Sequence, residues 1–164
     1  MVNLWHQLTH PNIIKLLGAG GVSGKQYVLC KFASNLTLPE FLFGREDSRK
    51  RVWQLLLDAV MGLHYLHYLH SRDIVHSGLR CSSILVGADT KAKLSDFSYI
   101  FDLDVEEKTF VAKITNAIRC MPPEQLTIER LTLASEIYSF EISCDWKSAM
   151  GGQRYQIQRF DSMY

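Results

Sequence analysis

The residues of this chain that are able to do acid–base, nucleophilic or metal chemistry fall into three groups. The first is the run Ile74-Val75-His76-Ser77-Gly78-Leu79-Arg80-Cys81-Ser82-Ser83, followed by Lys93-Leu94-Ser95-Asp96-Phe97-Ser98. The carboxylate in these two pieces, Asp96, can either coordinate a hard cation or accept hydrogen bonds as the cap of its own loop. Ser77 is a neutral hydroxyl that takes up no proton at ordinary pH, and Gly78 offers no side chain. The second group is His64, His67 and His70, spaced three apart on a helical pattern. No carboxylate or thiolate accompanies them at ligand spacing, so they read as surface or packing histidines rather than a metal site. The third is the four cysteines, Cys30, Cys81, Cys120 and Cys144, which lie far apart with no C-x-x-C pair. That spacing argues against a zinc site and against a disulfide framework, and it makes a reducing cytosolic setting the default.

The elements that must carry these residues can be read from periodicity. Leu4, Trp5 and Leu8 share one face of a short helix that His10-Pro11-Asn12 ends. Ile13 to Leu17 reads as a strand closed by Gly18-Ala19-Gly20-Gly21, with Gln26 to Phe32 as its antiparallel partner. From Arg49 to His70, Val52, Leu55, Leu56, Ala59, Val60, Leu63, Leu66 and Leu69 recur at helical spacing without a proline. Within that helix His64-Tyr65-Leu66 is repeated at once as His67-Tyr68-Leu69. Three extra residues rotate a helix by about 300°, so the apolar face is expected to be displaced but largely kept. Ser83 to Val86 and Ala92 to Ser95 form a second hairpin across Gly87-Ala88-Asp89-Thr90, and Leu131 to Ile142 reads as another helix. Residues 144–164 show scattered charge and no sustained period, and are expected to be loosely ordered.

Length and composition bound the class. The chain has 164 residues, 47% hydrophobic and 21% charged, enough for one globular core. A net charge of +1 suggests no general attraction to nucleic acid or anionic membrane, so a partner must be recognised locally. No signal-peptide pattern and no apolar run long enough for a membrane span occurs, and a cytoplasmic location is the expectation.

The run from Ile74 to Val86 with Lys93 to Ser98 resembles the catalytic loop and metal-binding segment of protein kinases, which write these pieces as H-R-D-L-x-x-x-N and D-F-G. The resemblance extends outward. Leu8-x-His10-Pro11-Asn12-Ile13-Ile14 looks like the end of the family's helix C leading into strand four, and Tyr27 to Leu42 like strand five, hinge and helix D. Met121-Pro122-Pro123-Glu124 stands where kinases carry A-P-E. Ser135-Glu136-Ile137-Tyr138-Ser139-Phe140 stands where the tyrosine-kinase-like branch begins helix F. Segments in the correct order over roughly residues 1–143 imply a partial protein-kinase-like α+β fold. It would consist of a remnant of the N-lobe sheet and hinge (1–33) and a mainly helical C-lobe (34–143) truncated after the start of helix F, with 144–164 as a divergent tail.

The resemblance also implies what the chain lacks. Transfer of a phosphoryl group to a hydroxyl needs a carboxylate that accepts the hydroxyl proton, and ligands that hold magnesium against the phosphates. At the position of the base stands Gly78, beside Ser77; the asparagine of the second magnesium is replaced by Ser83, a weaker ligand; Asp96 survives as a ligand for one magnesium. Ser98 replaces a glycine, which removes an easy positive φ. His76 is expected to pack under Phe97 in a buried spine. Cys30 would be the gatekeeper, Lys31, Phe32 and Ala33 the hinge, and Leu85 the floor of an adenine pocket that takes ATP weakly. No Gly-rich loop and no strand-three lysine occurs in these residues. Glu136 replaces the helix F aspartate that anchors the catalytic loop, its extra methylene altering the reach, and Glu124, without its arginine partner, is expected to be exposed. Apolar faces of the long helix should stay uncovered, which points to another protein as partner, such as a complementary kinase-like chain. The expected function is therefore a catalytically inactive, truncated pseudokinase with a signalling, scaffold or interaction role. The alternatives are a serine/threonine kinase fragment that retains ATP binding and weak phosphotransfer, or a non-functional truncated gene product.

Overall fold

The computed structural model describes residues 2–23, 25–69, 74–76, 78–97, 101–102, 120, 122–123 and 132–143. The elements run α1 (Val2–Gln7), β1 (Leu16–Val22), β2 (Lys25–Cys30), α2 (Leu38–Leu42), α3 (Ser48–His64), a π turn (Tyr65–Leu69), β3 (Ile74–Val75), a 3-10 turn (Cys81–Ser83), β4 (Ile84–Val86), β5 (Ala92–Leu94), β6 (Phe101–Asp102) and α4 (Leu133–Ser143). The strands pair as three antiparallel two-stranded sheets, β1 with β2, β3 with β6 and β4 with β5. Small sheets and a few helices make up the partial α+β kinase-like fold expected from the sequence.

The first hairpin is antiparallel as expected but differently bounded. Gly18, Gly20 and Gly21 lie inside β1, paired with Leu29, Tyr27 and Gln26, instead of forming its turn. The chain turns later, next to Ser23, whose φ is 52°. A strand whose residues are largely exposed gains little from side-chain packing, so glycines cost it little there and the turn follows the positive φ instead.

The second hairpin, β4 with β5, is the hub of the core. Ile84, Val86, Ala92 and Leu94 are all fully buried. β5 is stitched to the segment after α1: the Asn12 side-chain amide donates to Ala92 O at 2.9 Å, Leu94 N–H to Asn12 O, and Ile14 N–H to Leu94 O. Asp58 of α3 accepts from Ala92 N–H at 3.1 Å, so β5 binds α3 as well. Gly62 of α3 makes the close approach possible. A Cβ there would lie 2.7 Å from Asn12 O and 3.0 Å from Leu94 Cδ1. Gly62→Ala should therefore lower stability by about 1–2 kcal/mol, the overpacking cost less alanine's helix preference, read as a lower denaturation midpoint.

The long helix departs from expectation at the tandem tripeptide. α-Helical bonding stops at His64, and Tyr65–Leu69 forms a π turn. A π turn holds more residues per turn than an α turn, so it takes up part of the extra length locally. Leu66 and His67 are buried there while Tyr68 is 64% exposed. Earlier in α3, Val52, Leu55, Ala59 and Leu63 face the core, whereas Trp53, Leu57, Val60 and Met61 form an exposed apolar stripe at helical spacing. Among the described residues no helix is long and apolar enough to cross a membrane.

Candidate functional site

The expected loop residues converge where the 3-10 turn meets the end of β5. His76 is fully buried; its Nε2–H donates to Ser95 O at 2.6 Å and its ring lies 4.7 Å from that of Phe97. Phe97 in turn contacts Trp5 at 5.0 Å, and the Trp5 indole N–H donates to Ile14 O at 2.9 Å. His76 thus holds Phe97 in a buried stack running from the loop to α1, the structural role expected of it.

Ser83 is buried, and its hydroxyl donates to Gly78 O at 3.3 Å. Its carbonyl accepts from both Ser95 N–H and the Ser95 hydroxyl. This ties the start of β4 to the residues before Asp96. Asp96 has a φ of 60°, a left-handed conformation that aspartate tolerates better than most residues. Ser98, where the family's glycine stands, lies outside the described residues, as do Ser77, Glu124 and residues 144–164.

Arg80 supplies what sequence reasoning missed. Its Nη2 donates to Asp96 Oδ2 at 2.9 Å, with both side chains partly exposed. A basic residue two positions after Gly78 was visible in the sequence, but its partner was not. Gly78 itself offers no base, and one oxygen of Asp96 carries a guanidinium instead of standing free for a cation. Among the described residues no cluster of three or more His, Cys, Asp or Glu could hold a metal ion. The donor set does not fit magnesium, which prefers several unencumbered oxygens in octahedral array, and a fixed positive charge at hydrogen-bond distance from the carboxylate repels a dication.

The nucleotide-side residues divide. Ala33 is buried beside β4: Asn35 N–H donates to Val86 O, Val86 N–H to Leu36 O, and the Asn35 side chain to Gly87 O. Leu85 is half-buried and bridges Thr37. Burial pushes the Cys30 thiol above its ordinary range, and Cys30 packs half-buried against the core. Lys31 and Phe32, by contrast, line a cavity to which Cys30, Ala33, Leu85 and Asp96 do not contribute.

The histidine series divides too. His64 lies against Tyr68, whereas His67 is buried with its Nε2 2.5 Å from Glu136 Oε2 of α4; His70 lies outside the described residues. Glu136 is 2% exposed, so its longer side chain does reach a buried partner, His67 in the tandem repeat. Cys30 and Cys120 are free thiols.

Comparison with known proteins bears directly on this arrangement. The family model for protein tyrosine and serine/threonine kinases matches residues 1–160. In Arabidopsis thaliana, cysteine-rich receptor-like protein kinase 37 is 31% identical over 147 residues, which cover 86% of this chain and 23% of that protein. A probable LRR receptor-like serine/threonine-protein kinase is 33% identical over 144 residues, 84% of this chain and 14% of the relative. Calmodulin-binding receptor-like cytoplasmic kinase 3 is 27% identical over 146 residues, 86% and 29% respectively. The chain spans less than a third of the length of these relatives. With the buried His76–Phe97 stack, the ordered loop motifs and a match over nearly all its residues, the chain belongs to the protein tyrosine and serine/threonine kinase family.

Proposed function

We propose that this chain is a catalytically inactive kinase-fold module with a signalling or scaffold role, working by interaction with another protein in the cytoplasm. The observation that carries the reading is the pairing of Arg80 with Asp96 beside a base position occupied by Gly78. The residue that would hold a metal is paired with the chain's own cation, and position 78 offers no side chain to accept a hydroxyl proton. The exposed stripe of Trp53, Leu57, Val60 and Met61 supports a protein partner, a complementary kinase-like chain being the reading in closest accord with the family.

A second reading, weak nucleotide binding through Asp96, is favoured by the carboxylate's being retained and partly exposed. Thermal denaturation with and without millimolar magnesium and ATP separates the two. A ligand specific for the folded state at a hundred times its Kd would add about 2.7 kcal/mol and raise the midpoint. No shift is expected; a clear shift would favour the second reading. Arg80→Ala should release Asp96, tightening manganese binding roughly five- to tenfold by calorimetric titration, because a partly exposed charge contributes about 1 kcal/mol. Unchanged affinity would show that Arg80 is not what blocks the carboxylate.

A further inference from the structure

Lys15 and Lys31 are neighbours across the base of the first hairpin, where Lys31 N–H donates to Lys15 O at 2.9 Å. Both line a cavity of about 430 Å³ that Lys93 and His10 also reach. Like charges placed side by side across strands are destabilising, so such a cluster calls for compensation. The described residues supply little. Lys93 Nζ is held by Asp89 at 3.0 Å and by Pro11 O at 2.7 Å. Lys15 Nζ donates to the Thr9 hydroxyl at 3.2 Å, and among the described residues neither Lys15 nor Lys31 has an anionic partner. Among the described residues the cavity lining thus holds three ammonium groups and one carboxylate, Asp89. His10 adds no charge readily: burial first, then His64 and Lys93, lower its pKa from the ordinary imidazole value.

The surroundings are apolar. Phe32, at the lip, is 82% exposed. Side chains alternate along β2 and its continuation, so Tyr27, Leu29 and Lys31 lie on one face, and Tyr27 and Leu29 are both more than half exposed. A cationic concavity with Phe32 exposed beside it thus lies at the end of a strand whose Tyr27 and Leu29 are exposed. A small inorganic anion would leave these apolar side chains bare. A bilayer would meet the protruding Phe32 and Lys31 but not Lys93, whose side chain is only 16% exposed in the recess.

We propose that this cleft docks an acidic peptide segment of a partner protein, its carboxylates meeting Lys15 and Lys31 and an apolar side chain between them entering the cavity. The docking site is separate from the degenerate loop, since Gly78, Arg80 and Asp96 do not line it. It shares Lys31 and Phe32 with the expected hinge, so it is separate from the loop but not from the adenine side of a nucleotide site.

The test is panning of a random peptide display library on the intact chain, followed by fluorescence anisotropy of the enriched peptides. Enrichment of sequences with acidic residues flanking an aliphatic or aromatic one is expected. Their affinity should fall at least roughly tenfold in Lys15→Glu and in Lys31→Glu, weaken with added salt, and stay unchanged in Arg80→Ala. Lys31→Gln gives the same loss in smaller measure and serves should a charge reversal disturb folding. The proposal is overturned if enriched peptides carry no acidic bias or none is enriched. Binding that survives the double charge reversal, or Lys15- and Lys31-dependent binding to phosphatidylserine vesicles in place of peptide, also overturns it.

Discussion

Glu136→Ala is expected to remove about 2–5 kcal/mol of stability, seen as a lower denaturant midpoint at unchanged slope. Glu136 and His67 are both almost fully buried, with Nε2 and Oε2 2.5 Å apart. Truncating one partner leaves the other desolvated without its hydrogen bond, which costs more than the pair contributes. Against a total of about 5–15 kcal/mol for an ordinary domain, that loss is a large fraction. Glu136→Gln keeps a polar atom in place and should cost clearly less. Replacing both residues by leucine should recover much of the loss, since a buried pair exchanged for packed apolar groups is often nearly neutral. Glu136→Ala at wild-type stability would mean that the pair does not join α4 to the π turn in solution.

The second large effect is an absence. Purified chain should transfer no γ-phosphate from ATP to protein hydroxyls above background, and Gly78→Asp with Ser83→Asn should not restore transfer. A positioned general base contributes typically about 10²–10⁴ in rate, so its loss alone is severe. Restoring it supplies neither the Gly-rich backbone nor the lysine charge that hold the phosphates, since these residues include no such motif. Arg80 would still occupy Asp96. Phosphotransfer by the doubly substituted chain, confirmed by its loss in Asp96→Asn, would sink the account of an inactive site.

Much of the fold was legible because its signals are local. The helical spacing from Val52 to Leu63, the turn composition between β4 and β5, and the His76 and Asp96-Phe97 motifs each sit within a few residues of chain. Errors arose where local signals compete. The glycines of β1 read as a turn because glycine favours turns generally, yet exposure made the strand tolerant of them. The tandem HYL repeat was expected to continue α3, but packing of Leu66 and His67 inward drew a π turn from the same residues.

What the sequence alone determined is the family, the order of the elements and the glycine at position 78, because each depends on residue identity at positions close along the chain. What only the tertiary structure decided is which charges meet. Arg80 and Asp96 are 16 residues apart, His67 and Glu136 are 69 apart, and Lys93 joins Lys15 and Lys31 through the stitching of β5 to the segment after α1. Electrostatic partners are chosen by distances of a few ångströms in space, and no periodicity in the sequence encodes those.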